Sequence, residues 1–243
     1  MDILSIREDF ISGKVDLISF YTDVIKRIED KKDLNIFLDF SKEKIMERVE
    51  FLNNKLKNKE KLGSLFGVSV SIKDNILVKG YKSTCGSKIL EKYSPIFNAT
   101  IIDRLLEEDA VILGKVNMDE FAMGGSGETS YFGATKNPLD ESLIPGGSSS
   151  GSASSVSADL AMISLGSDTG GSVRNPASFC ACVGYKPTYG MISRYGVVSM
   201  ASSLDQVGIL SSDVKSILPV LNTIGGLDKM DAVTMRDTLY IKE

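Results

Sequence analysis

Ile45, Val49, Leu52 and Leu56 fall at intervals of four, three and four residues, the spacing of one apolar stripe on a helix. Ile18, Tyr21, Ile25 and Ile28 share a face in the same way, so the charge-rich residues 1–60 predict a helical layer packed on a core. After Gly63 the period drops to two. Gly67–Lys73 predicts a half-buried strand with Val68, Val70 and Ile72 on one face and Ser69, Ser71 and Lys73 on the other. Asp74-Asn75 is the turn that ends it. The pattern then predicts a helix over Ala99–Glu107 and a strand at Ala110–Leu113 closed by Gly114. A helix of small residues over Ser152–Leu160 and a strand at Ala161–Leu165 follow, then a further helix with Pro176 in its first turn and Asn175 as its cap. Strands alternating with helices imply an α/β fold with a partly parallel sheet. Residues 61–243 form its core, and with no internal repeat or linker the chain is expected to be a single domain.

At 243 residues, 42% hydrophobic and 25% charged, the chain has the make-up of an ordinary globular domain. A net charge of −4 argues against broad electrostatic binding of nucleic acid or an anionic membrane. No apolar run approaches the roughly 20 residues a membrane helix needs, and the opening residues carry no signal-peptide core. Three cysteines, Cys85, Cys180 and Cys182, are too few for a disulfide framework, so the expected compartment is the reducing cytoplasm. The most informative count is zero histidines. It removes Ser-His-Asp and Cys-His catalysis and histidine-ligated zinc together.

From Pro145 to Ser172, 16 of 28 residues are Gly or Ser, yet the stretch contains a predicted buried strand, which a flexible linker has no reason to carry. Gly146–Ser152 has the frame of a phosphate loop but places Ser152 where the lysine is needed. Gly147-Ser-Ser-Ser-Gly151 fits the nucleophile elbow but has no histidine to complete a triad. What remains is a hydroxyl nucleophile served by another base. Lys73, at a strand end on a serine-bearing face, is the best candidate. Bringing a lysine from about 10.4 to near 7 takes roughly 4 kcal/mol of differential stabilisation.

Three blocks, Ser-Ile-Lys-Asp-Asn (71–75), Gly-Gly-Ser-Ser-Ser-Gly-Ser (146–152) and Gly-Ser-Asp-Thr-Gly-Gly-Ser-Val-Arg (166–174), resemble the amidase signature family in residues, order and separation. Residues 180–190 and 203–208 continue the match. The resemblance implies a mixed central sheet covered by helices on both faces, and a catalytic Ser–cis-Ser–Lys triad on Ser172, Ser148 and Lys73. Ser172 would be the nucleophile, Ser148 the proton relay and Lys73 the base. Backbone N–H groups of Thr169, Gly170, Gly171 and Ser172 would hold the oxyanion. Asp168 and Arg174 would brace this loop, and Cys180 and Cys182 would be small buried residues. The block 115–133 resembles more narrowly the A-type branch of the family found in glutamyl-tRNA(Gln) amidotransferases. That likeness implies L-glutamine as ammonia donor, with Met123 and Gly124 lining its pocket. It also implies two partner subunits, a B-type kinase/transamidase and a small C-type one, that hold Glu-tRNA(Gln) and use ATP and Mg²⁺. No cofactor or metal is expected on this chain itself.

The family pattern also implies departures. Ser150 stands where the family usually has Gly, and a positive φ there would strain the loop by about 1–2 kcal/mol. Ile209 replaces a common Pro. Members of the family are longer, so the sheet and the pocket are expected to be incomplete here, with an unpaired edge. Two other readings stay open: a general small-amide amidase, and a non-catalytic fragment that needs partner subunits.

Overall fold

The computed structural model describes residues 2–234; the last nine positions of the expected 61–243 core lie outside them. Six strands form one mixed sheet in the order β1-β3-β2-β4-β6-β5, and seven α-helices pack on it. Helices α1 (Ile3–Ser12), α2 (Leu17–Asp30) and α3 (Lys42–Lys57) begin at Asp2, Asp16 and Ser41, whose side chains accept backbone N–H groups of the first turn. The two sequence stripes lie inward, Tyr21, Ile25, Ile28, Ile45, Val49 and Leu52 being buried. The segment expected to be helical throughout also supplies a strand, β1 (Phe37–Phe40), antiparallel to β3. All four of its residues are only half-buried, so it carries no alternating pattern to announce it.

Strands β2 (Ser69–Lys73), β3 (Val111–Val116) and β4 (Ile163–Asp168) form the parallel centre. Beneath one face, Val68, Val70 and Ile72 meet α4 (Thr100–Glu107) and α7 (Ile217–Ile224) in a single apolar cluster. The opposite, serine-bearing face is buried as well, which differs from the half-buried strand expected. Its cover is α5 (Ser150–Ser157), made of residues small enough to let polar groups satisfy one another across the gap. Ser71 Oγ lies 2.7 Å from both Ser155 Oγ and Ser164 Oγ, and Ser69 Oγ accepts the Met162 N–H at 3.0 Å.

Gly114 does not close β3. The register against β2 slips between Val70 and Ser71 and the strand runs on to Val116. Gly114 is needed because any side chain there would collide with the Asp39 carbonyl of β1. On the far side of β4, β6 (Gln206–Ser211) and β5 (Val183–Tyr185) continue the sheet antiparallel. Pro176 sits in the first turn of α6 (Arg174–Phe179), as the sequence predicts, but Asn175 lies inside that helix and does not cap it. Its Oδ1 instead accepts the Gly147 N–H at 3.0 Å.

Candidate active site

Parallel pairing brings the C-terminal ends of β2 and β4 side by side. Lys73 ends β2; Ser167 and Asp168 end β4; the loop into α5 crosses between them. Lys73 is completely buried. Its Nζ lies 2.8 Å from Ser148 Oγ, 2.9 Å from Ser167 Oγ and 3.3 Å from the Ser167 carbonyl. Every hydrogen-bond partner is neutral. Burial pulls the ammonium down to about 7, against the more distant carboxylates of Asp119 and Asp168, which favour the charged form. An amine in that state carries a proton part of the time at neutral pH and a free lone pair for the rest.

The peptide bond between Gly147 and Ser148 is cis. Two residues remote in sequence hold this loop. The Asn175 side chain accepts from Gly147, and the Asp119 backbone N–H donates to the Ser148 carbonyl at 3.2 Å. The Asp119 carboxylate lies below, accepting the N–H groups of Gly127 and Thr129 at 3.1 and 3.2 Å and the Thr129 hydroxyl at 2.8 Å. A side chain at position 147 would drive into that carboxylate. Gly147→Ala is therefore expected to displace Ser148 and to destabilise the chain by about 1–3 kcal/mol, as overpacking does. Denaturant unfolding of the variant checks it.

After β4 the chain turns through Thr169-Gly-Gly-Ser172 around Asp168. This buried carboxylate accepts N–H groups from Gly171 at 2.7 Å and Val173 at 3.1 Å, and a bidentate guanidinium grip from Arg174 at 3.0 and 3.0 Å. Burial alone would raise its pKa. The Arg174 guanidinium and the two N–H groups outweigh burial and hold the carboxyl below its usual range. The Gly171 N–H is thus committed to Asp168, which takes one donor out of the expected oxyanion set. Thr169 is steadied from another strand, its hydroxyl donating to Asp205 just before β6. Ser172 is half-buried, and its carbonyl accepts the Ser149 N–H at 3.1 Å. The fold therefore hydrogen-bonds Lys73 directly to Ser148, and ties Ser172 through its carbonyl to the next residue, Ser149; among the described residues the Ser172 hydroxyl makes no hydrogen bond to Ser148. Met123 is exposed, and Gly124 packs against the Asp119 side chain; neither touches Lys73, Ser148 or Ser172 through a hydrogen bond among the described residues.

A family model described as Amidase matches residues 20–239. The chain belongs to the amidase family. It is 48% identical over 98% of its length to the A-type subunit of glutamyl-tRNA(Gln) amidotransferase from Chlorobium phaeobacteroides, covering 50% of that protein. Against the crystal structure of the corresponding A-type subunit from Thermotoga maritima the TM-score is 0.79 at 44% identity, covering 91% of this chain and 46% of that one. Native peptide amidase from Stenotrophomonas maltophilia superposes with a TM-score of 0.91 at 30% identity, over 96% of this chain and 50% of that one. The chain spans about half the length of the curated relatives it matches.

Against the amidase pattern, Ser150 brings no strain. It opens α5 without a positive φ, and its hydroxyl lies 3.2 Å from Thr135 Oγ1. Ile209 is buried in β6 between Leu165 and Tyr185, where it adds apolar bulk to the core. Cys85 and Cys180 are buried as expected, while Cys182 is only half-buried; desolvation pushes Cys85 and Cys182 up to about 12 and Cys180 up to about 11, which favours the neutral thiol. Among the described residues no helix is long and apolar enough to cross a membrane. Sequence reading gave no part in the site to Asn75, Asp119, Ser167, Asn175 or Asp205, Asn75 being read only as a turn residue and Asn175 only as a helix cap. Asn75 meets Ser167 across 92 residues of chain, Lys73 meets Ser167 across 94, Gly147 meets Asn175 across 28 and Thr169 meets Asp205 across 36, separations that no local pattern records.

Proposed function

We propose that this chain carries the amide-hydrolysing centre of a glutamine-dependent amidotransferase, with Lys73 as ultimate base, Ser148 as relay and Ser172 as nucleophile. The observation that supports it most is the contact between a fully buried lysine and a serine hydroxyl at 2.8 Å, with no carboxylate among the described residues in hydrogen-bond reach of the amine. Ser172 Oγ attacks the side-chain amide carbon of glutamine as its proton passes through Ser148 to Lys73. The tetrahedral oxyanion is met by loop N–H groups, for which Thr169, Gly170 and Ser172 remain once Gly171 is given to Asp168. The relay then runs backwards, protonating the departing ammonia. Water, activated by the same relay, cleaves the glutamyl ester and regenerates the Ser172 hydroxyl.

Glutamine as the substrate rests on the 115–133 block and on identities near one half to A-type subunits of glutamyl-tRNA(Gln) amidotransferases. On this reading Met123 and Gly124 border the substrate, the ammonia goes to a B-type partner that amidates Glu-tRNA(Gln), and a small C-type partner completes a cytoplasmic assembly. ATP and Mg²⁺ belong to the B-type partner's chemistry. The groups around Ser148 are hydroxyls, amides and one amine, a donor set suited to an amide carbonyl and not to a divalent cation.

Ammonia release from L-glutamine by the chain, beside Ser172→Ala, tests the proposal. Release that falls by at least about 10³-fold in the variant is the expected result for loss of a nucleophile. Release from simple amides but not from glutamine would favour the peptide-amidase-like reading instead.

A further inference from the structure

We propose that Asn75 is a positioning residue: by donating to Ser167 Oγ it restricts how Ser167 meets Lys73 and so directs the lysine lone pair at Ser148. The inference rests on the reading of Lys73 as the base. Asn75 is almost wholly buried, and its Nδ2 lies 3.1 Å from the Val198 carbonyl and 3.1 Å from Ser167 Oγ. A carbonyl can only accept, so the Nδ2 end of the amide must face Val198, and the amide cannot turn over without setting oxygen against oxygen. Both Nδ2 hydrogens are then committed, one of them to Ser167. The opposite end, Oδ1, is buried with no hydrogen-bond partner among the described residues, so the contacts to Val198 and Ser167 are what fix the amide.

The consequence for Lys73 follows from counting lone pairs. The Ser167 hydroxyl has two, and Asn75 takes one. The Ser167 carbonyl is shared between Lys73 at 3.3 Å and Ser149 Oγ at 3.1 Å. A neutral amine has two hydrogens, which these two Ser167 acceptors satisfy, leaving its lone pair for the Ser148 hydroxyl at 2.8 Å. An ammonium has three hydrogens and would compete for every acceptor present. Take Asn75 away and Ser167 Oγ, relieved of a competing donor, accepts more strongly from the charged form. The charged or titratable groups that act on Lys73 are Asp119 after β3, Asp168 at the end of β4, Asp205 before β6 and the Cys85 thiol after β2. All four favour the ammonium, so Asn75 works against them.

Titration of Lys73 by carbon-13 NMR on lysine-labelled chain, assigned with Lys73→Met, reads this directly and needs no turnover. Asn75→Leu, which fills the space, is expected to raise the Lys73 titration by about one pH unit, the worth of roughly one hydrogen bond. In a Ser167→Ala background the same change is expected to raise it by nothing. A rise of equal size in both backgrounds, or none in either, overturns the proposal. Where Asn75→Leu does not fold, the uncharged Asn75→Ala is compared with and without Ser167, and the rise must be larger with it. A Lys73 shift as expected in a chain that releases no ammonia from any amide would defeat the proposed function and leave this coupling standing.

Discussion

Replacing Lys73 with Met is expected to lower kcat for amide hydrolysis by about 10²–10⁴-fold, the usual worth of a general base, while leaving the fold intact. The two effects separate because the lysine is a burden on the fold. Its ammonium is completely buried, and burial holds it at about 7 against an ordinary value near 10.5. Below pH 7 both the folded and the unfolded chain keep the proton, and the fold bears the full penalty. Between about 7 and 10.5 the unfolded chain holds the proton and the folded one does not, so stability climbs as pH rises. The whole climb is on the order of 5 kcal/mol from this group. Met removes the climb and leaves Ser148 and Ser167 short of one partner, a penalty of about 1–3 kcal/mol for each unsatisfied group. Unfolding midpoints taken from pH 6 to 10 should therefore rise more steeply with pH in the wild type than in the variant, the difference between the two curves being the part due to Lys73. The activity of the wild type should in turn fall on the acid side of about pH 7, as Lys73 gains its proton. A Lys73→Met chain that keeps appreciable turnover would remove lysine from the mechanism.

What the sequence disclosed follows a physical division. Apolar periodicity located α2, α3 and α4 because each has one face against the core, and it located β2 because its second face, though buried too, is made of serines and a lysine. Lys73, Ser148 and Ser172 were singled out because each lies in an unusual local string, Ser-Ile-Lys-Asp-Asn for the first and runs of glycine and serine for the other two. The antiparallel flank was invisible for the opposite reason. β5 is three residues of an edge, and β6 is buried on both faces, so neither alternates. The support of the site was invisible too. Asp119 reaches under Gly147, and Asp205 reaches Thr169, across spans in which nothing but the fold relates them. The oxyanion expectation for Gly171 shows the same limit. A Gly-Gly pair announces backbone freedom, and only the position of Asp168 decides where the freed N–H points.

Asp74→Ala is expected to cost about 3–5 kcal/mol of stability, although Asp74 performs no chemistry. Among the described residues its carboxylate is the only charge within hydrogen-bond reach of Lys115, with Nζ 3.1 Å from Oδ1, and the two side chains are 0% and 1% exposed. The other carboxylate oxygen accepts the Thr84 N–H at 2.8 Å and the Thr84 hydroxyl. Lys115 also donates to Ser83 Oγ at 2.8 Å and to the Lys82 carbonyl at 3.2 Å. Removing Asp74 would leave a buried ammonium held by neutral oxygens alone. The loss has a ceiling, because Lys115 can give up its proton, which at neutral pH costs about 5 kcal/mol from an ordinary lysine value. For a chain of this size the loss corresponds to a fall of roughly 6–20 °C in Tm. The variant should recover as pH rises toward 10, since the unfolded chain then holds a proton that the folded one has shed. Pairing Asp74→Ala with Lys115→Met should restore most of the loss, because a buried pair replaced by apolar groups is near neutral while a broken one is not. The pair ties the turn after β2 to β3 and to the 82–84 segment, and Lys73 is the residue immediately before that turn. In the double variant the fold should return before the full activity does, because the backbone that aims Lys73 at Ser148 has lost its anchor. A double variant with wild-type kcat would show that β2 alone fixes the direction of Lys73.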